Sequence, residues 1–291
     1  MANLKDIRRR IASVKNTQQI TKAMKMIAAV KLRKAQDQIL ANRPYARELI
    51  TVISNLAHYA SSSHHPLLAQ KRAQRRVHLV VVTSNRGLCG SYNGSIIRSA
   101  EKFIGEMGQT VEACKVSFIG RRGYDYFKSR IKPEWIGNFY KDISAERSYE
   151  HAVKVANESM EQFMKGGLDH IYFIYNEFKS AISQKVVVET LLPVTPVKTA
   201  PEMNKIDYLY EPSRDGILKA LLPKHVRVQV FRILLEAVAA EHGARMTAMD
   251  SATTNAGEMI GGLTLKANRL RQSAITTELM EIVSGAEALK G

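Results

Sequence analysis

From Leu4 to about residue 57 the chain contains no glycine and one proline, Pro44, and its apolar residues recur every three or four positions. Leu4, Ile7, Ile11 and Val14 have the alternation of a coiled-coil seam. The pattern slips at Gln18 and Thr21 and resumes at Ile20, Met24 and Ile27. Asn3, followed three residues later by Asp6, resembles a capping box. A helix of about 54 residues, roughly 80 Å long, is therefore expected over 1–58. Pro44 is the residue there able to kink it.

The other end repeats the pattern. Met246, Met249, Ala252, Ala256, Ile260, Leu263, Ala267 and Leu270 step by three or four, and Ile275, Leu279, Ile282, Ala286 and Leu289 continue the stripe. Ser213, after Pro212, is a cap candidate, and Pro223 is expected in a first helical turn, where its missing N–H costs nothing. Gly243, Gly257, Gly261 and Gly262 each cost about 1 kcal/mol relative to alanine inside a helix. A helix broken at the glycines is one reading. The stripe keeps its phase through them, and small residues let two backbones approach, so a continuous helix within 213–289 is expected. Neither terminal helix can bury its stripe alone, so the two are expected to pair antiparallel, with the tip near 275–289 projecting.

Between them, strands alternate with helices. Val77–Thr83 reads as a buried strand, then a glycine-rich turn, a helix over 92–107, a strand at 116–120, a helix at 121–129 and a strand near 135–140. A helix to about Lys165 and strands at 171–175 and 185–191 follow. This alternation predicts a mostly parallel sheet with helical cover, a Rossmann-like domain over 76–200. The fold class expected is α/β: an antiparallel coiled coil of long N- and C-terminal helices plus a central Rossmann-like α/β domain.

Charge is the strongest compositional signal. The net charge is +16, and residues 1–35 hold ten basic side chains against one acid, Asp6. Such one-sidedness predicts an acidic partner. Arg8, Lys15 and Lys22 lie seven apart on one ridge. Aromatic residues do not interleave the cations of 1–35, which argues against stacking on nucleic-acid bases, although a basic nucleic-acid-binding protein is the alternative reading. No stretch approaches the roughly 18 apolar residues of a membrane span, and Arg8–Arg10 lead into a mixed polar segment rather than a signal-peptide core.

Catalytic patterns are lacking. Cys89 and Cys114 have neither CxxC nor His-paired spacing and are expected to be reduced thiols. His64 and His65, in a serine-rich loop, are expected to be solvated. The stretch from Thr83 to Asn93 joins a strand to a helix, as a phosphate cradle would. It fits neither GxGxxG nor the P-loop, so a tight structural turn is the preferred reading. No metal, cofactor, catalytic residue or small-molecule substrate is expected.

Three blocks together carry a family resemblance. Ile7 to Arg33 (IRRRIASVKNTQQITKAMKMIAAVKLR), Arg86-Gly-Leu-Cys-Gly90, and Ile275 to Ala288 (ITTELMEIVSGAEA) resemble the gamma subunit of F-type ATP synthases, in order and across essentially the whole chain. Asn85 stands where that family usually has Asp, a short tail Lys290-Gly291 follows the last block, and the cysteine-bearing insertion of chloroplast relatives is missing, so thiol regulation is not expected.

The resemblance implies a rotor with no active site of its own. Its shaft would turn inside the alpha and beta subunits, with the α/β domain against the epsilon subunit and the membrane ring of c subunits. It would couple proton flow to ATP synthesis on the cytoplasmic face of a bacterial inner membrane, or the matrix face in mitochondria. By resemblance, Arg271 and Gln272 would meet the beta subunit near the top of the shaft and Arg245 lower down. Met24 would pack between the helices facing Glu278, and Ile275, Leu279 and Ile282 would turn in an apolar collar. Arg8, Lys15 and Lys22 would face acidic loops of the head.

Overall fold

In the computed structural model, residues 4–59, 65–68, 75–108, 110–140, 148–181, 183–195, 211 and 213–288 are described. Helix α1 runs from Leu4 to Tyr59 without interruption at Pro44, and the C-terminal helix α5 from Arg214 to Ala288. Asn3, His64, Pro212 and Leu289 lie outside the described residues. Contacts divide the chain into two compact units, one of residues 1–27 with 246–291 and one of residues 28–245.

The larger unit holds a five-stranded sheet ordered β3-β2-β1-β4-β5. Its strands are β1 (Arg76–Val82), β2 (Ala113–Ile119), β3 (Ile136–Tyr140), β4 (His170–Phe178) and β5 (Gln184–Leu192). The first four are parallel, and β5 runs antiparallel to β4. Helices α2 (Tyr92–Met107), α3 (Arg121–Phe127) and α4 (Ser148–Met164) connect the parallel strands. Because strand side chains alternate faces, β1 divides its residues between two cores. Val80 and Val82 join Phe173, Ile53 of α1, Val155 of α4 and Ile233 of α5. Val77, Leu79 and Val81 join Phe118, Ile96 of α2 and Phe127 of α3. Both faces of the sheet are thus covered, which is why β1 reads as a continuous apolar run.

Several expectations change. Pro223 is not in a first turn: α5 begins nine residues earlier, at Arg214, where the Ser213 hydroxyl accepts the Gly216 N–H and makes the cap. Burial of Leu218 and Leu222 against the core recruits that extra length and offsets the roughly 3 kcal/mol cost of an interior proline. His65 is half-buried rather than solvated, and its Nδ1 accepts the Leu67 N–H at 3.2 Å. α5 does continue through its glycines, but a Cβ at Gly261 or Gly262 would meet nothing within 4 Å, so neither is there for a close backbone approach. Gly243 is, since a Cβ would stand 3.3 Å from the Ala181 backbone.

Candidate functional site

The smaller unit is an antiparallel helix pair whose register is set by polar contacts. Thr21 and Thr253 place their hydroxyl oxygens 2.7 Å apart. Gln18 Nε2 donates to the Thr253 carbonyl at 3.3 Å, and Lys25 pairs with Asp250 at 2.6 Å. The seam therefore does not slip at Gln18 and Thr21. It passes through both, in phase with Ile7, Ile11 and Val14, while Ile20 and Ile27 are 60% and 57% exposed. Polar side chains hold seam positions because each finds a partner across it, and such pairs specify register at some cost in stability. Spacing alone was enough to find them, since 14, 18 and 21 continue the steps of three and four.

That register places the other shaft residues. Counting back from Thr21–Thr253, Leu4 comes opposite Leu270, the last half-buried position of α5. Met24, half-buried, stands at the level of Asp250 and so does not face Glu278, which lies on the order of 40 Å further along α5. Arg271, Gln272, Ile275, Leu279 and Ile282 are all exposed, on a stretch of α5 with no helix beside it among the described residues of this unit. Arg8, Lys15 and Lys22 are exposed and make no ion pair among the described residues.

In the larger unit, the turn after β1 is knotted by hydrogen bonds. Asn93 Oδ1 accepts the Ser84 N–H at 3.0 Å, and its Nδ2 donates to Ser84 Oγ and Cys89 Sγ. Leu88, 63% exposed, adopts φ 62°, a left-handed conformation that costs a bulky residue energy. Arg245 closes the knot from α5. It pairs with Glu241 at 2.8 Å, donates to the Gly87 carbonyl at 3.3 Å, and its side chain is only 11% exposed. Burial holds the Glu241 carboxyl above its ordinary range despite Arg245 beside it, and pushes His242 down to about 4, aided by Arg245 and Lys31. Burial also raises the thiols of Cys89 and, to about 11, Cys114; both are free and buried.

Doubly wound sheets take nucleotides at the carboxyl edge where the chain switches direction, here between β1 and β4. Leu234, Ala237, Val238 and Glu241 of α5 fill the space beside Thr83, Tyr92 and Gly120 and leave a cavity of about 20 Å³. That is room for one water. A second latch, at the β5 edge, was not anticipated from the sequence. Arg232 of α5 pairs with Glu189 of β5 and Glu236, and donates to Tyr175 Oη at 3.3 Å. Burial works against the Arg232 charge, but Tyr175, Glu189 and Glu236 outweigh it, so the guanidinium remains protonated. Among the described residues no helix is long and apolar enough to cross a membrane, and no His, Cys, Asp and Glu side chains cluster as metal ligands.

A family model described as ATP synthase matches residues 3–289. The ATP synthase gamma chain of Geobacter metallireducens is 51% identical over 291 residues, all of both chains, and that of Anaeromyxobacter sp. strain Fw109-5 is 51% identical over 296 residues, again all of both. This chain belongs to the ATP synthase gamma chain family. In fold, it is similar to a chain of the Euglena gracilis mitochondrial ATP synthase, solved as OSCP/F1/c-ring, with a TM-score of 0.69 at 18% identity over 98% of this chain and 94% of that one. A chain of the Tetrahymena thermophila enzyme's central stalk and c-ring has a TM-score of 0.58 at 23% identity, over 80% of this chain and 99% of that one. In this gamma chain the glycine-rich turn, the most motif-like stretch of the sequence, is tied to α5 through Arg245.

Proposed function

We propose that this chain is the rotating shaft of an F-type ATP synthase, coupling proton-driven rotation of a membrane ring to ATP synthesis in an alpha/beta head. The observation that carries the reading is α5, 75 residues without interruption, whose last turns bear Ile275, Leu279 and Ile282 with no apolar cover among the described residues. An exposed apolar helix end calls for a partner's apolar surface. The exposed cations Arg8, Lys15 and Lys22, without an ion pair among the described residues, suit acidic loops of the head, and Arg271 and Gln272 suit polar contacts near its top. Met24 contributes to the pairing of the shaft helices. Arg245 contributes through the turn it closes, with any contact to the head made by its small exposed fraction.

The epsilon subunit and the c-subunit ring are the partners proposed for the α/β unit. The site of action would be the membrane surface, on the cytoplasmic face in a bacterium. Torque delivered to the sheet would reach α5 through Arg232–Glu189 and Arg245–Gly87, which join α5 to β5 and to the turn after β1. Reconstitution with alpha and beta subunits, with a bead fixed to the α/β unit, tests the reading: ATP hydrolysis should turn the bead. A chain that stays monomeric and shows no affinity for those subunits would end it.

A further inference from the structure

One corner of the α/β unit gathers cations over aromatic rings. α3 starts at the carboxyl edge of β2 and runs back, so the segment 128–135 leading into β3 lies at the amino edge of the parallel strands. There the Arg130 guanidinium stands 4.1 Å from the centre of the Tyr126 ring, Lys132 Nζ 5.2 Å over Trp135, and Lys128 Nζ 5.9 Å over Tyr124. The three cations are exposed and the three rings half-buried. Lys128 shares Asp125 with Arg121, whereas Arg130 and Lys132 make no ion pair among the described residues. A ring face orients a cation without neutralising it, so the charge remains available to an anion.

We propose that this corner binds the headgroups of anionic phospholipid. Lysine and arginine stems lying beside tryptophan and tyrosine, with charged ends in water, are the combination that settles at a bilayer surface. An acidic bilayer offers many phosphates in no fixed register, which suits three cations held by rings rather than by a hydrogen-bonded pocket. The contact proposed is with headgroups at the bilayer surface; no described helix is long and apolar enough to cross the bilayer. It rests on the reading that the chain works beside a membrane ring, and assigns part of that closeness to lipid rather than to protein.

The chain contains one tryptophan, Trp135, so its emission reports on this corner alone. The full chain is titrated with vesicles of phosphatidylcholine mixed with brominated phosphatidylglycerol, and separately with phosphatidylcholine alone, while sedimentation measures total binding. The anionic vesicles should quench Trp135, the neutral ones should not, and added salt should reverse the effect. Three cations beside an anionic surface correspond to roughly a hundred-fold in partitioning. K128Q/R130Q/K132Q should lose about that much of the quench, whereas R8Q/K15Q/K22Q should keep it. Sedimentation with the vesicles but without quenching would overturn the proposal, since binding would then be through another basic surface. So would polyglutamate changing the emission at the same affinity, which would make the corner a site for acidic protein. Neither alpha nor beta subunits enter this test, so its failure is distinguishable from failure of the shaft reading.

Discussion

The hydroxyl oxygens of Thr21 and Thr253 meet 2.7 Å apart inside the helix pair, at a seam position where an aliphatic residue would ordinarily sit. Thr21 also donates to the Gln18 carbonyl at 3.0 Å, so the contact belongs to a short polar chain across the seam. Replacing one hydroxyl breaks the bond across the seam and leaves the other only a carbonyl of its own helix, Gln18 for Thr21 or Met249 for Thr253, whereas replacing both by isosteric methyls packs the seam with apolar groups. T21V or T253V should each lower stability by about 1 kcal/mol, and the double variant should recover most of it. A urea-denaturation double-mutant cycle measures the coupling. Additive losses would mean the hydroxyls act independently.

Arg245 neutralises a largely buried carboxylate, so its loss should cost more than its own contacts. R245A is expected to destabilise the chain by about 3 kcal/mol, because Glu241 is left buried beside Cys89 and Tyr92 without its partner. R245A/E241Q should be closer to the parent, since the orphaned charge is gone. Chemical denaturation of the four proteins decides it; equal losses in R245A and the double variant would show that Glu241 is not the reason.

Acid sensitivity follows from three histidines that burial keeps neutral. Burial and Lys115 bring His78 to about 3, burial and Arg232 bring His225 to about 4, and burial and Arg245 bring His242 to about 4. Each folded value lies below the unfolded value of about 6.5, so the unfolded chain binds more protons between them and stability rises with pH. The contribution is complete above about pH 6.5 and is lost as the pH falls towards 4 and below, by about 2 kcal/mol per histidine between pH 7 and pH 5. Glu236 and Glu241, raised by burial, act in the opposite sense. Urea midpoints at pH 7 and pH 5 for the parent and H225Q measure one histidine's share. The variant's midpoint should shift less with pH, and an equal shift would remove His225 from the account.

The bare end of α5 separates stability from mechanism. Deleting residues 275–291 removes no buried side chain among those described, so unfolding free energy should change by less than about 0.5 kcal/mol. Coupling in the reconstituted enzyme should weaken, because Ile275, Leu279 and Ile282 would no longer be there to meet the apolar collar proposed for them. Calorimetry on the chain and ATP-driven rotation of the complex supply the two readouts, and undiminished rotation would show that the tip is dispensable.

Much of the fold was legible in local pattern. The absence of glycine from residues 4–57 and the steps of three and four made α1 readable, and the unbroken phase of the stripe outweighed Gly243, Gly257, Gly261 and Gly262 in α5. Strand positions were also visible, because a parallel sheet covered on both faces leaves continuous apolar runs such as Val77–Val82. The reading failed where a residue's partner is distant in sequence. Gln18 and Thr21 read as interruptions because they are polar; their spacing continues the seam, but the partner that accounts for the polarity, Thr253, lies more than two hundred residues away. Pro223 read as a start because nothing local announces that the core holds Leu218 and Leu222 helical ahead of it.

By itself, then, the sequence determined the two long helices, the alternating α/β centre, the lopsided charge and the family, all properties written in spacing and composition. Tertiary structure alone decided the register of the helix pair, the latches at Arg232 and Arg245 and the filling by α5 of the crevice at the carboxyl edge of β1 and β4. Those depend on pairwise geometry between segments far apart in the chain, where one polar atom within 3 Å of another turns a costly buried group into a specifying one.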